Sequence, residues 1–153
     1  LAKFLHVLAF AVWIGSSFWT TFFAGITMFR NLPRQTFGRL QSKLFPQFFA
    51  LNAVCIGVTA ATLGASSLQG PAGSALAVAL VANLANMFVL EPRSTTIMLK
   101  RYDMEDAGTK ESDEYKMLAK KFGALHGMSS LANLGALVAG FVYTWRLAAG
   151  IAL

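Results

Sequence analysis

The stretch Leu44–Leu90 reads LFPQFFALNAVCIGVTAATLGASSLQGPAGSALAVALVANLANMFVL and holds no Lys, Arg, Asp or Glu. A helix crosses a bilayer core of about 30 Å with about 20 apolar residues, so this run is too long for one span and long enough for two. Gln69-Gly70-Pro71 divides it as a polar turn. Two further uncharged runs, Phe4–Phe29 and Phe122–Trp145, flank it. The expected fold is all-α: a polytopic membrane protein with an antiparallel bundle of four transmembrane helices at about 4–29, 45–68, 72–90 and 123–146, one domain over 1–153. None of the runs alternates as a membrane barrel strand of about 10 residues does.

Composition agrees. The 153 residues are 56% hydrophobic and 13% charged, with a mean hydropathy of +0.55. A soluble chain this short exposes too much surface to carry so few charges. The first run is too long for a signal peptide and ends in Phe29-Arg30 without a small-residue cleavage pattern. Because the chain opens on Leu1 rather than Met, it is expected to be a processed or trimmed piece of a longer precursor. Cys55 stands alone, which leaves no disulfide within the chain.

The net charge of +6 does not point to nucleic acid as a partner. No groove-reading or base-stacking module is visible, and the cations sit beside the spans, where a positive excess is ordinary. Arg30, Arg34, Arg39, Lys43, Arg93, Lys100, Arg101, Lys110, Lys116, Lys120 and Lys121 fall at one end of the bundle, against Lys3 and Arg146 at the other. The positive-inside rule then puts loops 30–44 and 91–122 on the inner side and both termini on the outer side. In the first loop Asn31 is expected to cap a short interfacial helix, with Pro33 in its first turn and Phe37, Leu40 and Leu44 on its apolar face. Glu91-Pro92 is expected to interrupt the third span. Asp103–Glu114, with six of the seven acids, should be a solvated turn, from which Ser112 or Asp113 starts a helix running into the fourth span. Arg30, Pro33, Arg34, Lys43, Glu91 and Arg93 are the loop residues singled out as inner-face contacts.

Polar side chains inside a span are costly and therefore informative. At 1.5 Å per residue, Asn52, Asn83 and Asn133 lie about 10 Å from the inner ends of their spans, with Asn86 a turn nearer the surface and Thr20 and Thr21 at a similar depth in the first span. Helical spacing gathers Asn52, Cys55, Thr59, Thr62 and Ser66 on one stripe, His126, Ser129, Asn133, Ala136 and Gly140 on another, and Ser17, Thr21 and Gly25 on a third. The layer Asn52, Asn83, Asn86, His126 and Asn133 either joins helices by hydrogen bonds or lines a binding cavity open to the inner face.

Catalytic patterns fail. His126 has Ser129 and Ser130 near it, yet Gly-Met-Ser-Ser is no nucleophile elbow and nothing supplies an oxyanion hole. His6 and His126 belong near opposite membrane surfaces and cannot share a metal, so no protein-only metal site is expected. Two features keep other functions open. Met28, Met87, Met98, Met104, Met117 and Met128 fall at or beyond the inner span ends, and thioethers suit soft metals. His6 lies two helical turns before Trp13, spaced to hold a flat ring. His6 or His126 is thus a candidate axial ligand for haem or chlorophyll, although the sequence requires no cofactor.

Several strings resemble one family. Phe29-Arg30-Asn31-Leu32-Pro33-Arg34-Gln35-Thr36-Phe37-Gly38, followed by Gln41-Ser42-Lys43-Leu44-Phe45-Pro46, is similar to the first loop of the transmembrane protein 205 family. Leu90-Glu91-Pro92-Arg93-Ser94-Thr95-Thr96 resembles the end of its third span, and His126-Gly127-Met128-Ser129-Ser130-Leu131 with Asn133-Leu134 its last. His6, Trp13 and Gly15 fit its first span and are weakly similar to copper-resistance D-type membrane proteins, over too short a stretch to carry a metal site. The resemblance implies four helices and no attached enzymatic activity, with the animal member linked to platinum-drug resistance and vesicle traffic. The short, Lys/Glu-rich second loop departs from the animal pattern.

The expected function is that of a non-enzymatic structural, assembly or accessory component. Its partners would be lipids and other integral membrane proteins, in the plasma, thylakoid or mitochondrial inner membrane. Handling of soft metals or metal-containing drugs, and service as a haem- or chlorophyll-binding subunit, are the alternatives.

Overall fold

A computed structural model describes residues 1–149, with all side chains except those at 65 and 66. The Ser66 side chain of the Asn52 stripe and the last residues of the expected 1–153 domain therefore lie outside the described parts. Four long helices account for most of the rest: α1 (Ala2–Asn31), α2 (Arg34–Ala61), α3 (Pro71–Asp106) and α4 (Asp113–Ala148). Each is long and apolar enough to cross a membrane. Consecutive helices pack side by side, with the α3–α4 interface the most extensive and α1–α4 the least.

The tight core lies in the half of the bundle away from the basic end. Phe10 and Trp13 of α1 meet Cys55 and Ile56 of α2, Leu76 and Ala79 of α3, and Ala136 and Tyr143 of α4. Small residues set this density. At Gly140 an added Cβ would stand 2.7 Å from Ile14 Cδ1 and 3.4 Å from the Trp13 ring, so α4 approaches α1 where it has no side chain. Without a hydrophobic drive between helices in lipid, such close backbone approach is a main source of association. The large apolar side chains turn outward, among them Trp19, Phe23, Val54, Val81, Phe88 and Leu131, as a bilayer-facing surface requires.

Local structure departs from expectation in four places. No separate interfacial helix forms: residues from Arg34 onward are the first turns of α2, which runs through Pro46 to Ala61. Protein contacts rather than headgroups hold this segment upright, because Gly38 packs directly against Met98 and Tyr102 of α3. Pro33, not Asn31, occupies the N-cap position, and the Asn31 amide donates to Thr27 O within α1.

The second span ends at Ala61 rather than 68. The Thr59 and Thr62 hydroxyls bond back to Cys55 O and Val58 O there, and Gly64 turns extended. Glu91-Pro92 does not break the third span either. A π-turn, Asn86–Leu90, precedes it, and α3 continues to Asp106. Proline removes one donor, and the wide turn before it lets neighbouring carbonyls find other partners. The solvated turn shrinks to the residues after Asp106, with Gly108 at φ +73°. Ser112 caps α4 by accepting from Tyr115 N–H.

A second π-turn, Thr20–Ala24, lies in α1. In both turns an N–H reaches five residues back, Gly25 to Thr20 O and Glu91 to Asn86 O. Each turn inserts a residue and rotates the helix face beyond it.

Filling the α1–α4 contact should be costly in proportion to size. Gly140→Leu is expected to destabilise the bundle by about 1–3 kcal/mol. Gly140→Ala, which only needs the Ile14 tip to move, should cost well under half of that. Unfolding of the purified protein in mixed detergent micelles reads the difference; equal stability of both variants and the parent would contradict the packing described.

Candidate functional site

The four asparagines of the polar layer bond from helix to helix. Asn52 of α2 donates through Nδ2 to Ser17 Oγ (3.2 Å) and accepts through Oδ1 from Ser16 Oγ (3.1 Å), both on α1. Asn83 of α3 donates to Phe49 O of α2 at 2.8 Å. Asn86, also of α3, donates to Ser129 O of α4 at 3.1 Å. Asn133 of α4 donates to Thr21 Oγ1 of α1 at 3.0 Å. The bridges join α1 to α2, α2 to α3, α3 to α4 and α4 to α1, closing a girdle round the bundle. Two carbonyls can serve because each oxygen keeps a second lone pair beside its helical bond. The pairs are unequal: Asn52 uses both ends of its amide, whereas Asn86 is fully buried and its Oδ1 has no partner.

Beyond the girdle the basic end is held by charges and aromatic rings. Its residues fall between Phe29 and Leu44 or between Leu90 and Phe122, outside the uncharged runs and so outside the spans. Glu105 accepts from Arg34, from Tyr115 and, at 3.2 Å, from Gln35. Tyr102 donates to Arg34 O at 3.2 Å, and the Arg34 and Arg39 guanidinium groups lie 5.1 and 5.5 Å from its ring centroid. Burial pushes the Glu105 carboxyl up, but hydrogen bonds from Tyr115, Gln35 and Arg34, with the Arg34 charge, outweigh it and hold it below the ordinary carboxylate range. Arg101 has no carboxylate partner among the described residues. Its guanidinium lies 5.1 Å from the Tyr115 ring and 5.3 Å from Phe122, one terminal nitrogen donates to Tyr115 Oη, and Nε is buried without a partner.

Between girdle and basic end the bundle opens. Past its π-turn, the Gly25–Asn31 end of α1 packs on α2. A cavity of about 450 Å³ lies there, lined by Arg34, Arg101 and Tyr102 toward the basic end and by Gln41, Thr21 and the exposed His126 toward the girdle. A smaller one of about 190 Å³ shares Thr21, Gly25, Gln41 and His126 and continues to Phe45, Phe48, Phe49, Ser130 and Asn133. Together they form one cleft, cationic at the mouth and aromatic at the floor. His126 stacks on Phe122 with 9° between the rings. Among the described residues neither His126 nor Gln41 makes a side-chain hydrogen bond within the chain.

His6 does different work from that expected. It is buried at the opposite end, with Nδ1 2.8 Å from Thr62 Oγ1 and Nε2 2.6 Å from Tyr143 Oη. The Thr62 hydroxyl donates to Val58 O, so it accepts from His6 Nδ1–H, and Nε2 accepts from Tyr143 O–H. Both ring nitrogens are thus committed to hydroxyls. The space toward Trp13 is occupied by Phe10, which packs against Trp13 and Tyr143 at 6.0 and 5.2 Å between centroids.

Of the loop residues singled out, Arg34 joins the Glu105 cluster and Pro33 starts α2, while Arg30, Lys43 and Arg93 are exposed. Glu91 is buried within α3 and accepts from Thr95 Oγ1 at 2.6 Å. The methionines scatter: Met98 is buried against Gly38, whereas Met117 and Met128 are exposed. Glu105, Tyr102, Tyr115, Arg101 and Gln41 were not singled out from sequence. Gly38, spaced within an otherwise bulky helix start, is the one signal that something packs there.

A family model described as a domain of unknown function, DUF4149, matches residues 8–103. Transmembrane protein 205 of Danio rerio is 29% identical to the chain over 157 residues, covering 86% of this chain and 84% of that protein. No solved structure matches.

The girdle members should differ in weight. Asn52→Leu is expected to cost about 1 kcal/mol or more, since it breaks two bonds between α1 and α2 and takes from the buried Ser17 hydroxyl its donor, while Ser16 keeps Trp13 O. Asn86→Leu should cost clearly less, because Ser129 O keeps its helical bond and an orphan oxygen disappears. Reversal of that order in detergent unfolding would show the girdle is wrongly described. For Glu105 the folded pKa is lowered, so its stabilisation is complete above the ordinary carboxylate range and is lost as pH falls through the lowered value. Amide protection factors at residues 34–39 and 100–115 should therefore fall as pH drops below the ordinary carboxylate range, and Glu105→Gln should show lowered protection already at neutral pH, with little further pH response.

Proposed function

The chain belongs to the DUF4149, transmembrane protein 205-like family, and from that premise we propose that this integral membrane protein is a non-enzymatic accessory component that packs against other membrane proteins. One observation supports this reading: the four asparagines within the spans are engaged in the girdle, bonding helix to helix. What the bundle offers outward is apolar. Phe18, Trp19, Phe22 and Phe23 form an aromatic patch on α1, with Trp19 and Phe23 stacked 5.3 Å apart at 15° and Phe18 tilted against Phe22 and Phe23. On α4, Gly123 and Gly127 stand one turn apart with nothing within 4 Å of an added Cβ, the spacing at which small residues admit a second helix.

The reading predicts fixed partners. Affinity purification from the native membrane in a mild detergent should recover a constant set of integral membrane proteins. A Gly123→Leu/Gly127→Leu double variant should recover them at a small fraction of the parent's yield, with its own folding intact because both positions face open space. Isolation of the parent as a lone monomer after cross-linking in the membrane would remove the proposal.

A further inference from the structure

We propose that the cleft at the basic end binds an anionic phospholipid from the adjoining leaflet, with its headgroup at Arg101 and Arg34 and one acyl chain running past Gln41 and His126 to the phenylalanines at the floor. The proposal is independent of the accessory reading, which rests on the outward faces of α1 and α4.

Charge argues for the headgroup. The cavity mouth presents two arginines and no carboxylate lines it. Arg34 has Glu105 to neutralise it, but Arg101 has none, and its Nε is buried and unbonded. A buried donor without a partner is costly. Charge-assisted hydrogen bonds from a guanidinium to phosphate oxygens are among the strongest available to it. The Tyr115 and Phe122 rings fix the guanidinium plane, so little side-chain freedom is lost on binding.

Shape argues for the chain. The cavity of about 450 Å³ behind the arginines shares Thr21, Gly25, Gln41 and His126 with the one of about 190 Å³, and Phe45, Phe48 and Phe49 line the smaller. A compact hydrophilic anion would leave that aromatic floor unfilled. An acyl chain fills it and finds Gln41 and His126, both without bonds in the chain, where its ester group would pass. Depth agrees as well: Arg101 stands against Phe122, the first residue of the uncharged run of α4, and Arg34 precedes the uncharged run of α2, whereas Phe45, Phe48 and Phe49 of the floor lie within that run.

The test uses the full chain purified in mild detergent, with added phosphatidylglycerol or phosphatidylcholine of matched acyl chains and bound lipid counted by native mass spectrometry. One phosphatidylglycerol should be retained per chain, at least tenfold tighter than phosphatidylcholine. Arg101→Gln should lower its affinity about tenfold or more, and Arg101→Lys should restore part of it. Ser130→Trp, which fills the floor from an exposed position and leaves the arginines untouched, should also release the lipid. This variant keeps the test open if Arg101→Gln fails to fold. Equal retention of the two lipids, or retention unaffected by both Arg101→Gln and Ser130→Trp, overturns the proposal. So does displacement of the lipid by millimolar inorganic phosphate, which would mark a site for a free anion.

Discussion

The amide girdle is the interaction on which the rest of this bundle depends. In lipid, apolar side chains gain nothing by leaving the solvent for a neighbouring helix, so packing and hydrogen bonds must choose the partner face. An unpaired amide inside a span is costly, which turns each asparagine into a condition on how its helix is rotated. Asn52, Asn83, Asn86 and Asn133 impose that condition on every adjacent pair, α1 with α2, α2 with α3, α3 with α4, and α4 with α1. Each bridge is worth only about 0.6 kcal/mol on average. Their force lies in closure, since no helix can turn about its axis without breaking bonds on both sides.

The two ends of the bundle solve the packing problem differently. Away from the basic end, small residues let backbones meet: Ala75, Ala79, Ala136, Ala139 and Gly140 are all buried, and His6 ties three elements together through Tyr143 and Thr62. Toward the basic end, bulky phenylalanines and two π-turns keep the helices apart, and charged extensions take over beyond the membrane. A 36-residue helix is about 54 Å long, so α3 and α4 overrun a core of about 30 Å. Their surplus turns meet the start of α2 as a soluble domain would, through the Arg34–Glu105 pair and the Tyr102 and Tyr115 hydroxyls.

What could be read from sequence followed what is local and one-dimensional. Uncharged runs gave the four spans, and the asparagine depths placed Asn52, Asn83, Asn86 and Asn133 in one layer, because both need only residue counting. Helix continuity was harder to read. Glu91-Pro92 looks like a break, yet α3 passes through it behind the π-turn at Asn86–Leu90, and α2 likewise runs through Pro46. Glu105 was hidden for another reason. Six acids in a short stretch look solvated as a group, and only the fold distinguishes the one carboxylate turned toward Arg34 and Tyr115 from those left in water. His6 shows the same limit: spacing to Trp13 is visible in sequence, but Thr62 and Tyr143, its actual partners, are 56 and 137 residues away.

The girdle also explains why the cleft has a floor. Thr21 sits in the α1 π-turn, and its bond to Asn133 is the α1–α4 bridge of the girdle. Short of it α1 lies against the dense core; past it the rotated helix follows α2 and leaves α4. One local distortion therefore both completes the girdle and opens the space above it. Anything entering from the basic end meets Thr21 and Asn133 before it reaches Trp13, and can go further only by breaking the bond that fixes α4 against α1. The Thr21–Asn133 bond thus bounds the space at its girdle end.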